Sequence, residues 1–82
     1  MLEFLTALLS RLSKTDAPEA YVMLLSSLAH AKLLFGDAEG TRVDIEESGK
    51  ILDQLDDVEP IVHAAYYSVS ADYYKVKHFS SI

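Results

Sequence analysis

Half of the 82 residues are apolar and only three are glycine and two proline, a composition that fits one packed helical unit and excludes a disordered or turn-rich β chain. There is no cysteine, so a disulfide framework, a thiolate metal site and a cysteine nucleophile are excluded and a reducing compartment fits best. The net charge of −6 is concentrated: residues 37–59 hold nine acids against Arg42 and Lys50, while residues 1–36 balance at three of each sign, so the third segment repels phosphates and argues against nucleic-acid binding.

Leu2, Leu5, Leu8, Leu9 and Leu12 recur at helical spacing and predict an amphipathic helix over residues 2–13. This run is too short to span a bilayer. Its only basic residue, Arg11, follows the apolar stretch and no small-residue cleavage site comes after it, so it reads as a core helix, and no membrane role is expected. Asp16 as cap, Pro18 in the first turn and Glu19 three residues after the cap mark the start of a second helix, predicted over 17–35.

That second helix is apolar over much more than one stripe, which requires cover on several sides. Gly36 supplies a left-handed stop and Asp37 the next cap, so the reversal is short and helices two and three are antiparallel neighbours. The third helix, 38–55, presents Ala38, Thr41, Ile45, Ser48, Leu52 and Leu55 on one face, and small Ser48 and Gly49 allow close approach of a partner. Arg42 with Glu46, and Glu46 with Lys50, stand four apart on its outer surface; such pairs contribute only about 0.2 to 0.5 kcal/mol each and define no site.

Asp56, Asp57 and Glu59 end that helix and Pro60 opens the fourth, predicted to about Lys77. Its tyrosines repeat at seven, 66 with 73 and 67 with 74, and their ordinary role is packing with the hydroxyls at the rim of the core. The expected shared core contains Leu28, Leu34, Ile45, Leu52, Tyr66 and Val69. Residues 29–34 can be laid over 71–76 at an offset of 42, a period in the range of helical-hairpin solenoids. The fold expected is therefore all-α, with antiparallel hairpins stacked as in a tetratricopeptide-like array. A chain of this length buries only about 60 to 65% of its unfolded surface, and helices two and four are apolar over more than one neighbour covers. Self-association or partial disorder of the isolated chain is expected, with Tyr67, Tyr74 and the first helix as the candidate partner interface.

Chemistry is hard to find. His63 and Glu59 are four apart, but no second histidine completes a ligand pair, and Asp53, Asp56, Asp57 and Glu59 lack the glycine and spacing of a calcium loop. His30 reads as a hydrogen-bonded histidine at a helix interface, and His78 lies near a helix end. The serines stand in no nucleophile-elbow pattern. No catalytic residue, metal ligand or cofactor is expected.

The succession Leu28-Ala29-His30-Ala31-Lys32-Leu33-Leu34-Phe35-Gly36-Asp37, then Ile51-Leu52-Asp53-Gln54-Leu55, then Val62-His63-Ala64-Ala65-Tyr66-Tyr67 and Ala71-Asp72-Tyr73-Tyr74-Lys75, resembles the helical-repeat region of the ninth non-ATPase subunit family of the proteasome regulatory lid. The order and spacing match over roughly residues 20–77. The resemblance implies that residues 1–82 are a PCI-type solenoid segment upstream of a winged helix that is absent from this sequence. It further implies a non-catalytic scaffold role in the 26S proteasome lid in ubiquitin-dependent degradation, with other lid subunits as partners, in cytoplasm and nucleus. The alternative is a generic tetratricopeptide-like module that holds a peptide between helices; it usually needs a set of carboxylate-clamping residues, which Arg11, Lys14, Arg42 and Lys50 do not form.

Overall fold

Gly36 fixes the geometry of the central hairpin. In the computed structural model, which describes residues 2–12 and 15–80, its φ is +86°, the left-handed conformation that glycine adopts without strain. Asp37 N–H donates to Lys32 O at 2.8 Å and Gly36 N–H to Leu33 O at 3.1 Å, so the last carbonyls of the preceding helix are satisfied by a Schellman turn. Asp37 then accepts from Gly40 N–H at 2.8 Å as the cap of the next helix. Three residues thus end one helix, reverse the chain and start another.

Four helices result: α1 (Leu2–Arg11), α2 (Pro18–Leu34), α3 (Ala38–Asp53) and α4 (Pro60–Ser80), with no strand among the described residues. The expected spans hold to within three residues; α4 runs longer, to Ser80, and Ser13, the expected end of α1, lies outside the described residues. The expected capping box at Asp16 does not form. The cap is Ala17 (φ −135°, ψ 61°), with no side-chain cap bond, because the residue before a proline is kept out of the helical region and the boundary moves to it. Glu19 instead accepts weakly from Glu59 N–H at 3.4 Å, which ties the start of α2 to the start of α4.

Helix α2 is the centre of the molecule. It packs against α1, α3 and α4, which is why its sequence is apolar almost all round. Contact of Ala29 with Thr41 near the turn, and of Val22 and Leu25 with Ile51 and Leu52 far from it, run α3 antiparallel to it, as expected. The core has two clusters. Val22, Leu25, Ile51, Leu52 and Val62 form the first, and Ala29, Ile45, Val69 and Tyr73 the second; Tyr66 packs against both. Its hydroxyl occupies the space over Gly49, where an added Cβ would stand 2.9 Å away, so the small residue on α3 is what admits α4.

Of the six expected core residues, Leu28, Ile45, Leu52 and Val69 are buried and Tyr66 is partly buried. Leu34 is not in the core; it is 87% exposed. It belongs to the line Ala20, Ser27, Leu34, spaced by seven and exposed throughout, whereas Leu33 turns inward against the second cluster. An all-apolar helix does not reveal its phase by composition. Ala38, placed on the inner face of α3, is also exposed, because it stands in the first turn above the hairpin.

Truncating two buried leucines, Leu28→Ala and Leu52→Ala, is expected to lower stability by about 2 to 5 kcal/mol each, while the exposed Leu34→Ala stays within about 0.5 kcal/mol. Midpoints of chemical denaturation measure all three. Unchanged midpoints for the first two would place these side chains outside the core.

Candidate functional site

Helix α4 has two kinds of tyrosine on adjoining faces. Tyr66 and Tyr73 turn inward, whereas Tyr67 and Tyr74 are 64% and 62% exposed. Each outward ring is braced by its inward neighbour: Tyr66 and Tyr67 meet edge to face with centroids 5.3 Å apart, and Tyr73 and Tyr74 likewise at 5.4 Å. His63, one turn earlier, stacks on Tyr67 at 6.2 Å and 18°. Such rings lose little freedom on docking, which favours contact with a partner.

On the same line Ala64 precedes Tyr67 and Ala71 lies between Tyr67 and Tyr74, both exposed, so the stripe alternates small and large at spacings of three, four and three. This is the pattern of a helix seam. The apolar first helix, the other part of the expected interface, packs on α2 with Leu5, Leu8 and Leu9 partly buried and leaves Phe4 in solvent.

A second exposed apolar area departs from the expected core, which includes Leu34. Leu34, Phe35 and Val76 stand at the open end of the α2–α4 contact, beside a groove of about 430 Å³ lined by His30, Leu33, Leu34, Asp72, Lys75 and Val76. The signal that could have found it is the seven-residue line shared with Ala20 and Ser27.

Polar ties hold α4 and α3 in place around α2. His30 Nε2 lies 3.0 Å from Asp72 Oδ2, the interface histidine that the sequence predicts. Thr41 Oγ1 is 2.7 Å from Asp37 O and 3.3 Å from Ala29 O, so its hydroxyl proton is shared between its own helix and α2. Lys32 Nζ reaches Asp44 Oδ2 at 2.9 Å, an ion pair outside good hydrogen-bond alignment. Burial pushes the Asp44 carboxyl above the usual carboxylate range, and Lys32 offsets this only in part.

On the outer face of α3, Arg42 gathers both Glu39 and Glu46, with Nη1 2.7 Å from Glu46 Oε1. These hydrogen bonds hold Glu39 below the usual carboxylate range and raise Arg42 further above its own. Arg42 is therefore engaged within its own helix and does not serve as a peptide clamp. The acids Asp53, Asp56, Asp57 and Glu59 are exposed around the α3–α4 turn. Among the described residues no three His, Asp or Glu side chains are grouped to hold a metal ion, and no helix is long and apolar enough to cross a membrane.

The ion pair has a pH signature. Because the folded pKa of Asp44 lies above its unfolded value, its favourable contribution is fully present below about pH 4 and is lost as pH rises through the folded pKa. Asp44→Asn should therefore gain stability relative to the natural chain between about pH 4 and 7. Lys32→Met, which strands the carboxylate, should cost about 1 to 3 kcal/mol at pH 7 and less at pH 4. Denaturation midpoints at both pH values check this, and a Lys32→Met penalty that does not change with pH would show that Asp44 is not the affected group.

Residues 1–80 match the family described as PSD13 N-terminal repeats. A curated relative, "Probable 26S proteasome regulatory subunit rpn9" of Schizosaccharomyces pombe, is 38% identical over 73 residues, which cover 89% of this chain. The chain spans only 19% of that relative's length. No solved structure matches it.

Proposed function

The chain belongs to the PSD13 N-terminal repeats family, and on that premise we propose that it is a non-catalytic scaffold segment of the 26S proteasome regulatory particle. It serves ubiquitin-dependent protein degradation by holding other lid subunits in place and does no chemistry of its own. The observation that carries this reading is the 38% identity to the rpn9 relative over nearly the whole chain. The geometry is in keeping with it: apolar and aromatic side chains stand exposed on helix faces, as a surface made to be covered requires. In a longer protein this segment stands upstream of a PCI winged helix and works in cytoplasm and nucleus.

The surface left for a partner to cover, whether another subunit or a further segment of the longer protein, is the α4 stripe with Tyr67 and Tyr74. In the isolated chain this surface is bare, and it drives self-association as concentration rises. Sedimentation over a range of concentrations is expected to show this, with Tyr67→Lys plus Tyr74→Lys returning the chain to a monomer. A natural chain that is monomeric at every concentration removes that role from the two rings.

The assembly itself is tested by affinity purification of the longer protein that carries these residues, with identification of what is retained. Regulatory-particle subunits are the expected catch. Recovery of none of them removes the scaffold reading.

A further inference from the structure

The 42-residue echo can be checked residue by residue against the packing. Both α2 and α4 open on a proline, Pro18 and Pro60, at that offset. On α2 the residues that meet α3 are Val22 and Leu25, which share a cluster with Ile51 and Leu52, then Ala29, whose carbonyl lies 3.3 Å from Thr41 Oγ1, and Lys32, paired with Asp44. Moved by 42 they become Ala64, Tyr67, Ala71 and Tyr74. Val22, Leu25 and Ala29 are buried on α2, and their counterparts on α4 are exposed, as is Tyr74. The opposite flank obeys the same offset: Ala20, Ser27 and Leu34 map onto Val62, Val69 and Val76, the line through which α4 packs into the core at Val62 and Val69. Under this one offset the face that α2 buries against α3 is the face that α4 exposes, and the line by which α4 enters the core is the line that α2 exposes.

We propose that the stripe Ala64, Tyr67, Ala71, Tyr74 is the seat of a fifth helix, antiparallel to α4 and packed on it as α3 packs on α2, supplied by the next repeat of a longer chain. This rests on the repeat reading above and names the occupant of the surface. The chemistry of the occupant follows from the seat. Over Ala71 it carries a small or β-branched residue, by analogy with Thr41, whose hydroxyl lies 3.3 Å from Ala29 O. Beside Tyr74 it carries no carboxylate, because the lysine that pairs with Asp44 in the first hairpin is replaced by a phenol. Its outer face is polar, since α4 covers one side of it.

The test fuses a copy of residues 37–55, with its Asp44 counterpart changed to Asn, to Ile82 through a flexible glycine-serine linker, which keeps the helix at high effective concentration near α4. Amide exchange of the added helix and nitration of individual tyrosines are read in the fused and the unfused chain. The expected result is exchange in the added helix slowed by roughly tenfold or more, with nitration of Tyr67 and Tyr74 slowed in parallel. The fused chain also loses the concentration-dependent association of the unfused one. Tyr67→Lys with Tyr74→Lys in the fused chain should release the helix while exchange in α2 and α3 is unchanged, because both rings are outside the core. An added helix that exchanges as a free peptide, or one that stays protected in the double variant, overturns the proposal. Its failure is separable from that of the scaffold role: a docked helix with no regulatory-particle subunits retained keeps the seat and removes the assembly, and the reverse keeps the assembly and removes the seat.

Discussion

Placement of the Tyr66 side chain over Gly49 is the contact on which the arrangement of this chain depends. The central hairpin of α2 and α3 needs only a short turn and a row of apolar residues to form. Adding α4 requires that a helix carrying two layers of tyrosine approach α3 closely enough to join both core clusters, and Tyr66 packs against each of them. A side chain at 49 would begin 2.9 Å from its hydroxyl, so the ring must move or the helix withdraw. Val62 and Val69, on either side of Tyr66 along α4, belong to the two clusters that the ring packs against.

Around this contact the polar groups select one arrangement among several that apolar packing would permit. An apolar α2 could accept neighbours at many rotations, but His30 with Asp72, Lys32 with Asp44 and Thr41 at the Ala29 carbonyl each require a single phase. The Lys32–Asp44 pair adds little net stability, because the carboxylate loses water on burial and the lysine returns only part of that. Its effect is on register. A helix slid by one turn along α2 would leave Asp44 buried without a partner.

The resulting molecule has an acidic side, on α3 and the turn after it, and an aromatic side on α4 that ends in Lys75 and Lys77. Exposed charge of one sign keeps a surface free of non-specific partners, while braced tyrosines form a surface suited to packing. Such division suits a repeat segment in a large assembly, where one face stays in solvent and the next must be covered. It also agrees with stability shared between neighbours, since each helix pair in a stack buries an apolar face only when another pair is present.

The sequence by itself determined the four helices, the tight reversal at Gly36 and Asp37, the inner face of α3 from Thr41 to Leu52 and the interface position of His30. These are local: they depend on backbone sterics, capping and a strong 3.6-residue period, all of which act within one helix or one turn. The resemblance in residue order also led to the correct family. The phase of α2 was decided only by tertiary structure, because a helix apolar on every side has no preferred inward line until three neighbours are set around it, and so Leu34 was assigned to a core that Leu33 occupies. The division of the tyrosines was decided in the same way. Tyr66 and Tyr67 are adjacent and chemically identical, and which of them enters the core depends on where α3 offers a glycine, forty-nine residues into the chain and on another helix.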